Sequence, residues 1–258
     1  MVTLSAHVVV RLVVLLLLLS GLAPVSVAQE SPSGVEVGGV TVLPPDESYG
    51  GATRGEWDAR SWQWAVSMPE EINPGFDTTG ERCGYGQHGP VFMLPGAYTP
   101  ESFTRTCVVA EGTALFVSIA GAGCSTVEPP PFFGRTEQEL RECAIANTDA
   151  ITAYSLTING EPVEGLEAYR TTSPLFTMTF GEDNFFGVPA GVAESVSNSY
   201  SVIIAPPPPG EYEITGSASF EGESEPFEST TRVIVQEAQV IEPAATPAAG
   251  TPAATPEG

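Results

Sequence analysis

Short segments in which apolar and polar residues alternate recur along the middle of the chain. The clearest is 151–158, where Thr152, Tyr154, Leu156 and Ile158 lie on one face. It is followed by Asn159-Gly160, the dipeptide most typical of a tight β-hairpin. Further predicted strands lie at 91–94, 106–109, 113–119, 175–180, 200–204, 212–216 and 230–235. Gly and Pro separate these segments, so the pattern predicts a mainly β domain, an antiparallel β-sandwich of Ig-like or jelly-roll-like form.

One short helix stands out from this β pattern. Thr136 followed by Glu139 has the spacing of a capping box, which predicts a helix from 136 to about 145. That helix would carry Cys143. A second helix near 58–66 is an alternative to a strand there, because Trp62 and Trp64 also alternate.

The two ends of the chain differ from this body, which we place at 54–238. Residues 1–28 have the form of a secretory signal peptide, with Arg11, an apolar run at 12–19 and small residues before a cleavage point after Ala28. An uncleaved anchor is the alternative, although the apolar run is shorter than the ~20 residues of a membrane span. Residues 29–53 are a predicted linker or peripheral segment, with short strands at 35–37 and 40–42. Residues 239–258, rich in Thr, Pro and Ala, form a predicted disordered tail. We therefore expect a secreted or cell-envelope protein with no membrane span in the mature chain.

The four cysteines fit an exported protein. They are Cys83, Cys107, Cys124 and Cys143. An even number in an exported chain predicts disulfides, for which three pairings exist. We favour Cys83–Cys107 and Cys124–Cys143, because sequential pairing closes two local loops. No two cysteines have the short spacing of a zinc knuckle.

Charge and composition exclude several classes of function. The 258 residues hold 32 acidic and 9 basic side chains, a net charge of −23, and all nine basic residues are Arg. A chain this acidic repels phosphate backbones, so nucleic acid is not an expected partner. Because the chain has no Lys, it can hold neither a P-loop, which needs a lysine, nor a lysine that forms a Schiff base with a substrate.

No residue is assigned a catalytic role. His88 is the single histidine after the predicted cleavage point, and it lies in a Gly- and Pro-rich turn. The sequence has no G-x-S-x-G nucleophile motif. A pair of carboxylates for glycoside hydrolysis stays open, since such a pair is arranged in space rather than in sequence.

Weak candidates for ligand and metal binding remain. Phe185 and Phe186 lie in a predicted loop, and with Trp57 they are candidate ligand-binding aromatics that can stack on sugar rings. No cofactor is expected, although the acidic composition makes a structural Ca²⁺ worth testing. Its candidate ligands are Asp77, Glu81, Glu182 and Asp183. For Asp77 the simpler interpretation is a turn in which its carboxylate caps backbone amides.

A set of motifs resembles a family of uncharacterised secreted bacterial proteins. The motifs are Trp62-x-Trp64; Asn73-Pro74-x-x-Asp77-Thr78-Thr79-Gly80-x-x-Cys83; Arg105-Thr106-Cys107; Asn159-Gly160-x-Pro162-Val163; and Pro209-Gly210-x-Tyr212-x-Ile214. The resemblance spans about 57–236. It implies export and one β-rich domain, and it carries over no catalytic residue.

These observations lead to one functional expectation and two rivals. We expect an exported, non-enzymatic binding module for an extracellular carbohydrate or protein partner. The rivals are a secreted carboxylate-dependent hydrolase and a passive structural protein of the envelope. The sequence does not indicate an oligomeric state.

Overall fold

The computed structural model describes residues 33–96, 98 and 102–237. The predicted signal peptide and the predicted tail lie outside the described residues. Within the described residues, the chain is mainly β, with two helices. The strands, in chain order, are β1 Val35–Val37, β2 Val40–Val42, β3 Val91–Leu94, β4 Phe103–Ala110, β5 Ala114–Ser125, β6 Ile151–Ile158, β7 Glu161–Pro162, β8 Arg170–Thr172, β9 Phe176–Phe180, β10 Gly191–Ile204, β11 Gly210–Phe220 and β12 Phe227–Gln236. The helices are α1 Arg54–Val66 and α2 Glu137–Thr148.

These strands form two sheets in a sandwich-like arrangement. The first has the order β1-β2-β10-β5-β3, with β8 and β9 also pairing with β10, and the second has the order β4-β12-β11-β6-β7. The main core includes Leu115 and Val202 from the first sheet and Leu156, Ile214 and Val233 from the second. Burial of these alternating apolar side chains is the main force that holds the layers together.

The prediction of an antiparallel β-sandwich is confirmed in part, because most strand pairs are antiparallel but some are not. Each sheet contains a parallel pair: β3 with β5 in the first and β4 with β12 in the second. Both sheets are therefore mixed, and the fold is neither clearly Ig-like nor clearly jelly-roll-like. Local alternation indicates that a segment is a strand. It does not indicate whether that strand runs parallel or antiparallel to a neighbouring strand that is distant in sequence.

The described residues contain two helices. One was predicted, and the other lies where the sequence left a helix as an alternative to a strand. The predicted one is confirmed as α2, whose N-cap Thr136 accepts a hydrogen bond from the Glu139 amide over 3.2 Å. The second, α1, begins with a complete capping box. There the Thr53 hydroxyl accepts from the Glu56 amide and the Glu56 carboxylate accepts from the Thr53 amide. None of the described helices is both long and apolar enough to cross a membrane.

Several local predictions are confirmed. The cysteines pair as Cys83–Cys107 and Cys124–Cys143. The Asn159-Gly160 turn joins β6 to β7, and both of its residues have positive φ, as a tight hairpin requires. The peripheral segment also supplies β1 and β2, which extend the first sheet next to the end of β10.

Candidate functional site

A cleft of about 510 Å³ opens where α1, the β9–β10 loop and the second sheet converge. It follows the part of β5 that β3 leaves uncovered. The cleft is lined chiefly by aromatic and small apolar side chains. Its aromatic lining residues are Trp62, Trp64, Phe76, Tyr98, Phe185, Phe186, Phe220 and Phe227. We call this site the aromatic cleft.

The aromatic residues on one wall form a packed cluster. The ring centroids of Phe185 and Phe186 are 4.3 Å apart, and those of Phe185 and Phe76 are 5.1 Å apart with the rings nearly perpendicular. Tyr98 lies 5.6 Å from Phe185. Edge-to-face and tilted contacts of this kind stabilise a cluster beyond the burial of its area. The wall is therefore a preformed surface rather than a set of independent side chains.

The loop that presents Phe185 and Phe186 is fixed by a buried asparagine. The side-chain amide of Asn184 donates to the carbonyls of Gly181 and Val188 over 2.7 and 2.8 Å, and its oxygen accepts from the Val188 amide. Both aromatic rings stay half-buried in this loop. The predicted ligand-binding pair thus lies in the cleft. The role of Asn184 in fixing this loop was not predicted from the sequence, because a local side-chain-to-backbone bond leaves little periodic signal.

The turn that carries Phe76 into this aromatic wall depends on Arg105, which is almost completely buried in β4. Its guanidinium donates to the carbonyl of Pro74 over 3.0 Å and to the carbonyl of Pro95, and its Nε donates to the Thr231 hydroxyl over 3.1 Å. Burial lowers the pKa of Arg105 to about 10, although nearby Asp77 opposes this change. One side chain thus joins the turn that carries Phe76 to the segment that leaves β3.

The Asp77 carboxylate caps backbone amides of its own turn, as the simpler interpretation predicts. Its carboxylate accepts from the Thr79 amide over 2.9 Å, the Thr79 hydroxyl over 2.7 Å and the Arg82 amide over 2.7 Å. Burial acts to raise its pKa, but these bonds and one from the Gly80 amide lower the pKa to about 2. The Asp77 oxygens are therefore already used within its own loop.

The predicted metal ligands do not come together in the described part of the chain. No group of three or more His, Cys, Asp or Glu side chains there is arranged to hold a metal ion. Asp77 is buried in its loop, whereas Glu81, Glu182 and Asp183 are exposed. The structure therefore gives the Ca²⁺ hypothesis no assembled ligand set among these residues.

The polar groups that line the described part of the cleft are uncharged. They include the hydroxyl groups of Ser61, Ser118, Ser199 and Ser229. The Ser199 hydroxyl already donates to Asp58 over 2.6 Å. The cleft is thus an uncharged apolar surface in a chain whose net charge is −23.

Two carboxyl groups with raised pKa values lie outside the lining of the cleft. Burial raises the pKa of Asp58 to about 6, although hydrogen bonds from Ser197 and Ser199 and the charge of Arg54 oppose this increase. Burial also raises the pKa of Glu128 to about 7, against a smaller effect of the Ser125 hydroxyl. Asp58 is wholly buried between α1 and β10. Neither carboxyl group lines the cleft itself, although Asp58 accepts a hydrogen bond from Ser199, which does.

Trp57, the third predicted ligand-binding aromatic, lies apart from Phe185 and Phe186. Its indole N–H donates to the Tyr49 carbonyl over 2.8 Å, and the Arg60 guanidinium lies 4.3 Å from its ring centroid. It borders a smaller cavity of about 250 Å³ beside His88. Because Trp57 is almost completely buried, its main contribution is to the packing under α1.

The chain was compared with known proteins. No protein-family model matches it, and no curated protein matches it. Among solved structures, it is similar to the one described as "Structure of PbICP-C in complex with falcipain-2". That match has 13% identity, covers 58% of this chain and 100% of the other, and has a TM-score of 0.22. A second is "Solution Structure of Amebosin", with 14% identity, coverage of 52% and 96%, and a TM-score of 0.18. At these TM-scores, neither similarity supports a conclusion on fold or function.

Proposed function

We propose that this chain is an exported, non-enzymatic binding module that holds a protein partner in the aromatic cleft. The observation that carries the proposal is the cleft itself, which has a volume of about 510 Å³ and a preformed, uncharged aromatic lining. Apolar clefts with a few polar groups are the usual form of binding sites. The two disulfides suit an extracellular setting.

The chemistry of the lining favours a protein partner over a carbohydrate. Sugar rings can stack on aromatic side chains, but their hydroxyl groups also need many hydrogen-bonding partners. The described lining supplies no carboxylate, carboxamide or guanidinium side chain. Apolar side chains of a protein need only the buried area that the aromatic wall offers, and their burial contributes about 25 cal/mol per Å².

A paired selection tests this proposal. Residues 29–258 are screened against a displayed library of random peptides and against an array of bacterial and plant glycans. Selected binders are then measured against the wild type, Phe185→Ala, and a matched control, Phe132→Ala, which removes an exposed aromatic outside the cleft. Thermal unfolding of each variant shows whether it is folded.

We expect peptides rich in apolar residues to be enriched, and to lose about tenfold in affinity with Phe185→Ala but not with Phe132→Ala. Enrichment of a glycan instead would replace the protein partner by a carbohydrate. Binders that are indifferent to Phe185→Ala would place the binding surface elsewhere. Enrichment of neither class would contradict the binding function and favour the passive structural role.

A further inference from the structure

In the described part of the chain, one edge of β5 is only partly covered. On one side it pairs with β10 along Leu115–Ser125, apart from a bulge at Ile119. On the other side β3 covers only Ala114–Val117. At the far end, the Ser125 amide and carbonyl bond to the segment at Phe132 and Gly134. Between Val117 and Ser125, no described strand pairs with this edge.

The ladder geometry identifies the backbone groups that point out of this edge. In an antiparallel pair, alternate residues direct their N–H and C=O groups away from the partner strand. Ser125 does so, and therefore Gly123 and Gly121 do as well. The opposite strand agrees, because Ser197, which faces Gly123, bonds to Ser173 on its far side. The described residues supply no backbone hydrogen bond to the outward groups of Gly121 or Gly123. Gly121 is half-buried and lines the cleft, whereas Gly123 is buried and does not line it, so Gly121 is the accessible position.

The uncovered edge opens into the aromatic cleft. Ser118, Ile119, Ala120 and Gly121 all line it. Towards α1 the lining includes Trp62 and Phe186, and towards the second sheet it includes Ala218 and Phe227. Successive side chains of an extended strand point to opposite faces. A strand added at this edge would thus direct alternate side chains towards the two walls.

Acidic side chains flank the cleft on both walls. Glu182 and Asp183 are exposed directly before the loop aromatics. On the other wall, the turn between Phe220 and Phe227 carries three exposed acids, Glu221, Glu223 and Glu225. The ion pairs found among the described residues involve none of these five acids. An apolar site with an acidic surround is complementary to a ligand with an apolar centre and basic ends.

We infer that the partner is engaged through an extended segment that adds as a strand to β5 at Gly121. Its apolar side chains occupy the aromatic cleft and its Lys or Arg residues face the flanking acids. This inference rests on the proposed function and names the form of its ligand. Strand addition is an established mode of peptide recognition, in which backbone bonds supply affinity and side-chain pockets supply specificity. A second copy of this chain is a poorer occupant, because it would bring like charges together at the same surface.

The test uses the mature chain, residues 29–258, and a synthetic peptide array of the form Lys-Lys-X-Thr-X-Thr-X-Lys-Lys. Each X is varied over Val, Ile, Leu, Phe, Tyr and Trp. The tightest peptide is remade with N-methylated backbone amides, which keep the side chains but remove the donors, and with Glu in place of every Lys. Affinities are measured by fluorescence anisotropy for the wild type, Phe227→Ala and the control Phe132→Ala. Hydrogen exchange reports the Gly121 and Gly123 amides, and sedimentation reports self-association.

Strand addition predicts four results. N-methylation weakens binding by about tenfold, because the Gly121 carbonyl is left without its donor. The Glu-flanked peptide binds more weakly than the Lys-flanked one, and the difference shrinks in high salt. Phe227→Ala weakens binding while Phe132→Ala does not. The Gly121 amide exchanges more slowly when the peptide is bound.

Contrary results distinguish failure of this inference from failure of the proposed function. If the N-methylated peptide binds equally well and Gly121 exchange is unchanged, the cleft takes side chains without strand addition and the inference fails alone. If no peptide of the array binds while the random library yields cleft-dependent binders, the inference again fails alone. If Gly121 is protected without peptide and the chain sediments as a dimer, the occupant is a second copy. If neither the array nor the random library yields a binder, the inference fails together with the protein-binding function.

Discussion

At the scale of single residues, the buried cluster of Asp58, Arg54, Ser197 and Ser199 has the clearest electrostatic consequence. Asp58 is wholly enclosed, and the hydroxyl groups of Ser197 and Ser199 both donate to its carboxylate over 2.6 Å. Arg54 is nine-tenths buried, yet its Nε and Nη1 have no hydrogen-bond partner. Ionised groups enclosed in this way cost stability unless they are fully paired.

Asp58 should therefore make the protein less stable as the pH rises from about 4 to 7. Its pKa in the folded state is about 6, above the ordinary value of 3.8, so the folded state binds the proton more tightly than the unfolded state does. The resulting stabilisation is fully present below the ordinary value and is lost as the pH rises through about 6. The shift corresponds to about 3 kcal/mol. Glu128, with its pKa raised to about 7, acts in the same direction.

The measurement is urea unfolding at several pH values for the wild type and Asp58→Asn. We expect the fall in unfolding free energy between pH 4 and 7 to shrink by about 2 kcal/mol in the variant, since part of the full effect is already lost at pH 4. The control is Asp183→Asn, which makes the same carboxylate-to-amide change at an exposed position. An equal slope in Asp58→Asn and the wild type would show that Asp58 has an ordinary pKa.

At the scale of elements, the N-terminus of α1 is fixed by a motif that sequence analysis passed over. Thr53 and Glu56 have the same spacing as Thr136 and Glu139, but the Gly at position 55 and the alternating Trp62 and Trp64 obscured the helical pattern. α1 supplies Trp62 and Trp64 to the aromatic cleft. Its N-cap thus supports the site as well as the fold.

Thr53→Ala should lower the unfolding free energy by about 1 kcal/mol, because it removes the acceptor for the Glu56 amide. Thr53→Ser keeps a hydroxyl at the same position and should retain most of the stability. The midpoint of urea unfolding measures both. A loss of equal size in the two variants would show that the methyl group, rather than the hydrogen bond, is responsible.

Arg105 connects elements that are distant in sequence, including the turn at Pro74 and the segment at Pro95. Arg105→Met keeps much of the volume but leaves these buried carbonyls without a donor, so we expect a loss of about 3 kcal/mol or more. Arg105→Lys cannot reproduce the planar fork of donors and should recover only part of this loss. Urea unfolding measures the loss, and hydrogen exchange at Phe76 measures the loosening of the turn. Full stability in Arg105→Lys would show that charge alone suffices.

The elements also show how far the sequence could be interpreted. Alternation and turn residues gave the positions of most strands, since these signals are local. The parallel pair of β4 and β12 was missed, because Arg105 and Thr231 are neighbours across 126 residues. Of the candidate ligand-binding aromatics predicted from the sequence, Phe185 and Phe186 line the aromatic cleft and Trp57 does not. The other aromatics of the cleft come from segments such as those at Phe76 and Phe220, whose proximity depends on the tertiary fold.

At the scale of the whole molecule, the two disulfides fix different segments of the chain near the aromatic cleft. Cys83–Cys107 joins the loop capped by Asp77 to β4, the strand that carries Arg105. In that loop Gly80 has positive φ, and a Cβ there would approach within 2.0 Å of the Thr106 carbonyl oxygen. Cys124–Cys143 joins β5, the strand with the uncovered edge, to α2. The first bridge thus fixes the loop that follows Phe76, and the second fixes α2 to the strand whose residues 118–121 line the aromatic cleft.

Removal of either bridge should therefore cost similar stability but loosen different regions. The bridged cysteines are 24 and 19 residues apart, and loops of these lengths differ little in closure entropy. We expect a loss of about 3 kcal/mol for each double Cys→Ala variant in the chain-entropy model. Hydrogen exchange should accelerate around Asp77 and Gly80 without Cys83–Cys107. It should accelerate in α2 and the end of β5 without Cys124–Cys143.

The contrast between the two regions is the informative part of that experiment. Cys124 also packs against Leu140, Ala144 and Val196, so part of α2 stays docked when the covalent link is absent. The loop at Asp77 keeps its carboxylate cap and the Gly80 contact with β4. Faster exchange should therefore remain confined to the region of the missing bridge. If either variant accelerated exchange through both sheets, the bridges would be supporting the whole sandwich, and the two bridged regions would not be separate units of stability.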